Sequence, residues 1–139
     1  MSDLERYTLT IPQDLFAAFD KRNRRKGFKN RSEAIRDLIR EALVKDEWGD
    51  PNAHVAATVT LVYDHHTRAL ADKINEVQHD HGAMIVSTLH VHLDHHNCLE
   101  VVVMRGLAKN IQKLADSLSC IKGVKHAQLT LTTEGKSLA

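Results

Sequence analysis

Cysteine is scarce in this chain. Only Cys98 and Cys120 are present, so no disulfide framework of the small secreted kind can hold it together. Proline and glycine are also few, 2 and 6 in 139 residues, which excludes collagen-like and low-complexity classes. No apolar run approaches the ~18 residues of a membrane span, and no basic-then-apolar leader opens the sequence. A cytoplasmic protein with no membrane partner is expected. Acids and bases nearly cancel, 18 against 19, yet their distribution is uneven. The first 50 residues hold 11 Lys/Arg, 10 Asp/Glu and no histidine, while all ten histidines follow. Seven basic residues fall in 21–31 with no acid among them. Histidine titrates near ~6.5 and ligates borderline metals. The division therefore predicts two modules with different tasks, residues 1–46 and 53–139. They are joined by "EWGDPN", 47–52, whose Gly, Asp, Pro and Asn read as a linker.

In the first module "RYTLTI" alternates. Tyr7, Leu9 and Ile11 point one way, and Arg6, Thr8 and Thr10 the other. A helix follows from Pro12 to Gly27, with Thr10 and Gln13 at capping-box spacing and Leu15, Phe16 and Phe19 on its apolar side. A second helix, "NRSEAIRDLIREAL", opens with Asn30 and Glu33 at the same spacing and carries Ile35, Leu38, Ile39, Ala42 and Leu43 as its stripe. Strand–helix–helix in about 40 residues is too small for a stable core, and a lone strand needs a partner. A dimer with paired strands answers both needs. It presents Arg6, Thr8 and Thr10 as a two-stranded ribbon that fits a DNA major groove. The helix start at Asn30, Arg31 and Ser32 offers backbone N–H groups to a phosphate. On "RYTLTIPQDL", the Gly27 turn and "NRSEAIRDLIREAL", this half resembles the ribbon-helix-helix transcription factors. The resemblance implies base contacts from Arg6, Thr8 and Thr10 and backbone contacts from Asn30, Arg31 and Ser32. The plainer alternative is a dimerisation module whose polar strand face meets only solvent.

The second module reads strand 54–63, helix 66–81, strands 83–93 and 98–106, helix 107–121 and strand 124–133. This is the β-α-β-β-α-β ferredoxin-like arrangement, with two helices on one sheet face and the other face open to water or a second subunit. The fold class expected is thus α+β. His90 and His92 leave one face of their strand, and Leu89, Val91 and Leu93 the other, where they are expected to pack under the helices. A simple four-residue loop would place Cys98 on the helix side, so a bulge or odd-length loop is needed to bring its sulfur to the imidazoles. Two imidazoles and a thiolate suit nickel, zinc or copper and exclude magnesium or calcium. A fourth ligand could come from His79, His81, His95, His96 or His126. His81 continues the helix stripe and reads as packed against the sheet. His95 and His96 read as solvated at a hairpin tip. No H-E-x-x-H or other hydrolytic motif accompanies these residues.

The string "QHDHGAMIVSTLHVHLDHHNCLEV", 78–101, together with the first module, resembles the nickel-responsive regulator family, NikR, which joins a ribbon-helix-helix domain to an ACT-type domain. The resemblance implies a homotetramer, a dimer of dimers. It also implies a nickel(II) site of His90, His92 and Cys98 from one subunit and His79 from a neighbour, and repression of nickel-uptake genes through a palindromic operator in double-stranded DNA. Glu33 and Asp37 stand i,i+4 on the second helix and repel by a few tenths of a kcal/mol. Related regulators use the matching acids for a secondary interdomain cation, for which potassium is the expected occupant and weakly held nickel the other candidate; the plainer reading is a solvated polar face with Arg36 and Arg40 nearby. A metal-storage or metal-delivery protein, with the first module used only for dimerisation, is the competing function. A small metalloenzyme with an open coordination position is a third.

Overall fold

The computed structural model describes residues 3–138, apart from the side chain of Arg68. Its elements run α1 (Gln13–Lys26), α2 (Arg31–Gly49), β1 (His54–Asp64), α3 (Arg68–Asp80), β2 (Ile85–His92), β3 (Asn97–Leu107), α4 (Ala108–Ser119) and β4 (Val124–Leu131). The chain divides into two compact units, Met1–Leu43 with Ser137–Ala139, and Val44–Lys136.

The boundary falls inside α2 rather than in the expected linker. Glu47, Trp48 and Gly49 are helical. Trp48 packs against the core of the second unit and its indole N–H donates to the Thr132 carbonyl at 2.8 Å. Only Asp50–Ala53 remain irregular, and they are tied to the start of α4: Ala108 N–H donates to the Ala53 carbonyl and Lys109 N–H to that of Pro51. Glu47–Gly49 thus extend α2 where a linker was expected, with the partly buried Trp48 packed against the second unit's core.

In the first unit α1 ends at Gly27, whose φ of 83° is the left-handed conformation that glycine adopts without steric cost. The α2 cap forms as its spacing predicts, with the Glu33 N–H donating to Asn30 Oδ1 at 2.8 Å. The Thr10–Gln13 box does not: Pro12 occupies the cap position and no side chain caps α1. Residues 6–11 form no strand in the single chain, because an isolated extended segment has no neighbour for its backbone groups. Among the described residues of this unit only Asn23 and Ala34 are buried, while Tyr7, Leu9, Ile11, Leu15, Leu38, Ile39 and Leu43 stay exposed.

The second unit has its own core. The sheet order is β2-β3-β1-β4, with all pairs antiparallel. Strict alternation in β1 sends Val55, Ala57, Val59, Leu61 and Tyr63 inward, against Leu70 and Ile74 of α3 and Ile111, Leu114 and Leu118 of α4. Each large side chain so buried is worth ~1.5–3 kcal/mol.

One expectation is reversed. Ile85 pairs with Met104 on the inner face, but Ser87, not Val86, pairs with Val103. This bulge shifts the phase of β2, so that His90 and His92 share the helix-side face with Glu100 and Cys98. Leu89, Val91 and Leu93 are therefore turned to the open face and stay exposed, instead of packing under the helices. No helix among the described residues is long and apolar enough to cross a membrane.

Candidate metal centre and nucleic-acid interface

The metal centre grows from the β2–β3 hairpin. Its register pairs His92 with Cys98 and His90 with Glu100, leaving five residues, 93–97, between the first pair. The odd length brings thiol and imidazole to one face. Cys98 Sγ lies 3.3 Å from His92 Nδ1 and 3.2 Å from His65 Nδ1. The sulfur is buried, and burial pushes its thiol pKa up, assisted by the carboxylates of Asp64, Glu100 and Asp94. A coordinated cation reverses this preference, since it binds thiolate.

His90 stands beside His92, ring centres 5.1 Å apart. Its Nδ1 is 3.2 Å from the Tyr63 hydroxyl, which donates to Glu100 Oε2 at 3.0 Å; the Gln78 amide donates to Glu100 Oε1 at 3.1 Å. With the phenol O–H directed at Glu100, the His90 tautomer that completes this contact carries its hydrogen on Nδ1 and donates to the phenol oxygen. Nε2 then keeps its lone pair, the form a metal needs. Burial and the Glu100 charge hold the Tyr63 phenol protonated, far above its ordinary range.

The sequence expectation named four ligands. Two of them, His92 and Cys98, converge, and His90 is adjacent and oriented. His79 lies exposed in the last turn of α3. Among the described residues, two groups of ligand atoms fall within 4.8 Å of one another, His65–His92–Cys98 and Asp64–His65–His66, and neither contains His79 or His90. His65, Tyr63, Gln78 and Glu100 were not singled out from sequence. Tyr63 and His65 are brought in by the β1–β3 pairing of Tyr63 with Cys98. Glu100 could have been suspected as an acid in phase with buried Val102 and Met104. The donor set, one thiol with imidazoles, fits nickel, zinc or copper.

In the first unit Arg6, Thr8 and Thr10 lie exposed on the extended segment before α1, and Asn30, Arg31 and Ser32 are exposed at the start of α2. Arg31 is engaged: its Nε and Nη2 donate to the two carboxylate oxygens of Asp20 at 3.0 and 2.8 Å, and its guanidinium sits 4.5 Å from the centre of the Phe16 ring. It fixes α2 against α1, so the phosphate-facing groups at this helix start are foremost the backbone N–H groups. Glu33 is also engaged. Arg36 and Arg40 donate to its carboxylate and hold it below the usual range. Arg36 and Arg40, which the sequence places near the two acids, are thus found paired with Glu33.

Comparison with known proteins agrees with both halves. Residues 5–46 match the ribbon-helix-helix protein family of the copG type, and residues 56–132 match the NikR C-terminal nickel-binding domain. Relatives named as nickel-responsive regulators include one from Desulfovibrio desulfuricans, 52% identical over 100% of both chains. Another, from Solibacter usitatus, is 52% identical over 99% of each chain, and one from Geobacter metallireducens is 51% identical over 99% of each. Among solved structures, an uncharacterised protein of Thermotoga maritima superposes with a TM-score of 0.51 at 16% identity, covering 56% of this chain and 96% of its own, a likeness of fold alone. Half of all positions shared along the whole length, with both domains matched in the same order, make this chain a member of the NikR family of nickel-responsive regulators, a family of DNA-binding proteins rather than enzymes.

Proposed function

We propose that the protein is a nickel-dependent repressor, which in its nickel-loaded form binds a palindromic operator in double-stranded DNA and silences nickel-uptake genes in the cytoplasm. The observation that carries this reading is the meeting of a buried thiol with oriented imidazoles in the unit that matches a nickel-binding domain. In this reading His90, His92 and Cys98 hold nickel(II) from one chain and His79 completes the set from a neighbouring subunit. The exposed position of His79, outside both converging groups, supports its use between chains. Bound nickel supplies a strong cross-link between elements and no catalytic chemistry.

The assembly proposed is a homotetramer, a dimer of dimers. Support for one contact is the exposed apolar row of the first unit, Tyr7, Leu9, Ile11 and Leu15 with Leu38, Ile39 and Leu43. Support for the other is the open sheet face with Leu89, Val91 and Leu93. Paired strands then present Arg6, Thr8 and Thr10 to bases, with Asn30, Arg31 and Ser32 on the backbone. A secondary cation, potassium, is assigned to Glu33 and Asp37, where it competes with Arg36 and Arg40 for the Glu33 carboxylate.

Titration of labelled promoter fragments with and without nickel, in potassium buffer at fixed ionic strength, tests the reading. Tighter operator binding with nickel is expected. By linkage, the operator must tighten nickel binding by the same factor. Equal affinity in both forms removes the co-repressor role and leaves storage or delivery.

A further inference from the structure

Asn23, near the end of α1, is buried, with 6% of its surface exposed. Its backbone carbonyl accepts the Phe28 N–H at 3.1 Å and so belongs to the turn that ends the helix. Its side-chain Oδ1 accepts from Arg22 Nη1 at 3.3 Å, which fixes the orientation of the amide. The other end, Nδ2, is shielded from solvent and has no hydrogen-bond partner among the described residues. A buried amide N–H without an acceptor costs stability. An apolar side chain of similar size would avoid that cost, so packing alone does not account for an asparagine here.

Asn23 lines a cavity of about 210 Å³ where the end of α1 meets the start of α2. Arg24, Lys29, Asn30 and Arg31 line it too, with a single carboxylate, that of Asp20. This carboxylate is already engaged, since both its oxygens accept from Arg31. Arg24 and Lys29 are exposed, and among the described residues no carboxylate forms a salt bridge with either. The cavity also lies at the amino end of α2, where aligned peptide dipoles favour negative charge. Three cationic side chains against one paired acid make this an anion site and exclude a cation.

The unused amide narrows the choice of anion. The terminal torsion of asparagine is broad, so a small turn of the Asn23 amide offers its N–H to a group in the cavity. A phosphate presents several acceptor oxygens at once and can take that N–H together with the charged donors. We propose that Asn23, Arg24 and Lys29 form a phosphate seat, which takes a backbone phosphate of double-stranded DNA. The end of α1 and the turn after it thereby join the start of α2 in gripping the duplex. A backbone phosphate is the same in every sequence, so the seat adds affinity and carries no sequence information. The source of the phosphate rests on the DNA-binding reading above; the anion chemistry of the seat does not.

The test uses the full chain, an operator fragment, a random duplex of equal length and inorganic phosphate. Affinity for both duplexes is measured over a series of potassium chloride concentrations. Arg24→Ala with Lys29→Ala should weaken binding to both by one common factor and lower the slope of log affinity against log salt by about 0.9 for each seat occupied. Asn23→Leu removes the donor without changing charge. It should weaken both duplexes about tenfold, with the slope kept and a thermal midpoint no lower than wild type. Asn23→Asp keeps the side-chain volume and the Arg22 contact but puts a negative charge in the seat, and should weaken both duplexes further. A purely structural Asn23 would give the reverse, a lower thermal midpoint with unchanged DNA affinity, and that result in both Asn23 variants overturns the role of the amide. Calorimetric titration with inorganic phosphate separates the two sources. Phosphate binding that vanishes in the Arg24, Lys29 double variant, with DNA binding unchanged, overturns DNA as the occupant. Unchanged binding of both DNA and phosphate in that variant overturns the seat. An operator affinity that does not respond to nickel overturns the repressor reading instead, and the random duplex still decides the seat.

Discussion

His92 and Cys98 are register partners across β2 and β3, and their Nδ1 and Sγ atoms stand 3.3 Å apart. The pairing depends on a bulge at one end of β2 and an odd-length loop at the other. A one-residue slip at either place would send the imidazole and the thiol to opposite faces. Deleting one residue of the 93–97 loop should therefore abolish tight nickel binding while the unit stays folded. Chelator competition and circular dichroism would show whether the two properties separate.

The Glu100–Tyr63–His90 chain should tune affinity without supplying a ligand. Tyr63→Phe and Glu100→Gln are expected to weaken nickel binding ~10–100-fold, the usual effect of losing a group that orients a ligating histidine. His90→Ala, His92→Ala and Cys98→Ala should remove tight binding altogether. Competition against a chelator of known affinity distinguishes the two classes. Wild-type affinity in Tyr63→Phe would show that the phenol does not orient His90.

Operator recognition should divide by position. Arg6→Ala and Thr8→Ala are expected to lower the preference for operator over random DNA by ~1–3 kcal/mol. Ser32→Ala should weaken binding to both sequences alike. Competition binding at a single salt concentration reads both quantities. An unchanged specificity ratio in Arg6→Ala and Thr8→Ala would take the reader role from the ribbon.

The exposed apolar rows predict two separable contacts. Leu9→Asp should break pairing of the first units and leave the second-unit contact. Leu89→Glu should do the converse. Sedimentation velocity at micromolar concentration is expected to give dimers for each and monomers for the double variant. A wild-type chain that sediments as a monomer would contradict the assembly.

The Asp20–Arg31 pair gives the first unit an acid limit. Arg31 holds the Asp20 carboxyl below its ordinary value of 3.8. A carboxyl lowered on folding stabilises the fold above its unfolded pKa, and that contribution is lost as pH falls through the folded value. Wild type should therefore lose more stability than Asp20→Asn on going from pH 6 to below pH 4. Thermal melts across that range measure the difference, and identical pH dependence in the two proteins would argue that the pair adds nothing.

Much of the fold was legible because its patterns are local. The alternation of β1, the stripe Leu70–Ile74 in α3 and the stripe Ile111–Leu114–Leu118 in α4 each report burial through periodicity, and all these residues are in the core. The strand expected at 6–11 is not formed in the single chain, where its backbone groups have no neighbouring strand. The metal centre was legible in part. His90, His92 and Cys98 stand out by type and spacing, and their common face depends on a phase shift that no periodicity in "IVSTLHVHL" reveals.

The sequence by itself determined two modules, their element order, and the chemistry of the donors: a thiol, a crowd of imidazoles, a basic helix-turn without histidine. These follow from composition and from hydrophobic period, which act over a few residues. Only the tertiary structure decided that His65 faces Cys98, that Tyr63 and Glu100 meet His90, that Arg31 is paired with Asp20, and that His66 meets His95 and His96. Each of these contacts joins residues from different elements or loops. Their meeting is set by strand register and loop length, which depend on the packing of the whole sheet rather than on any local run of residues.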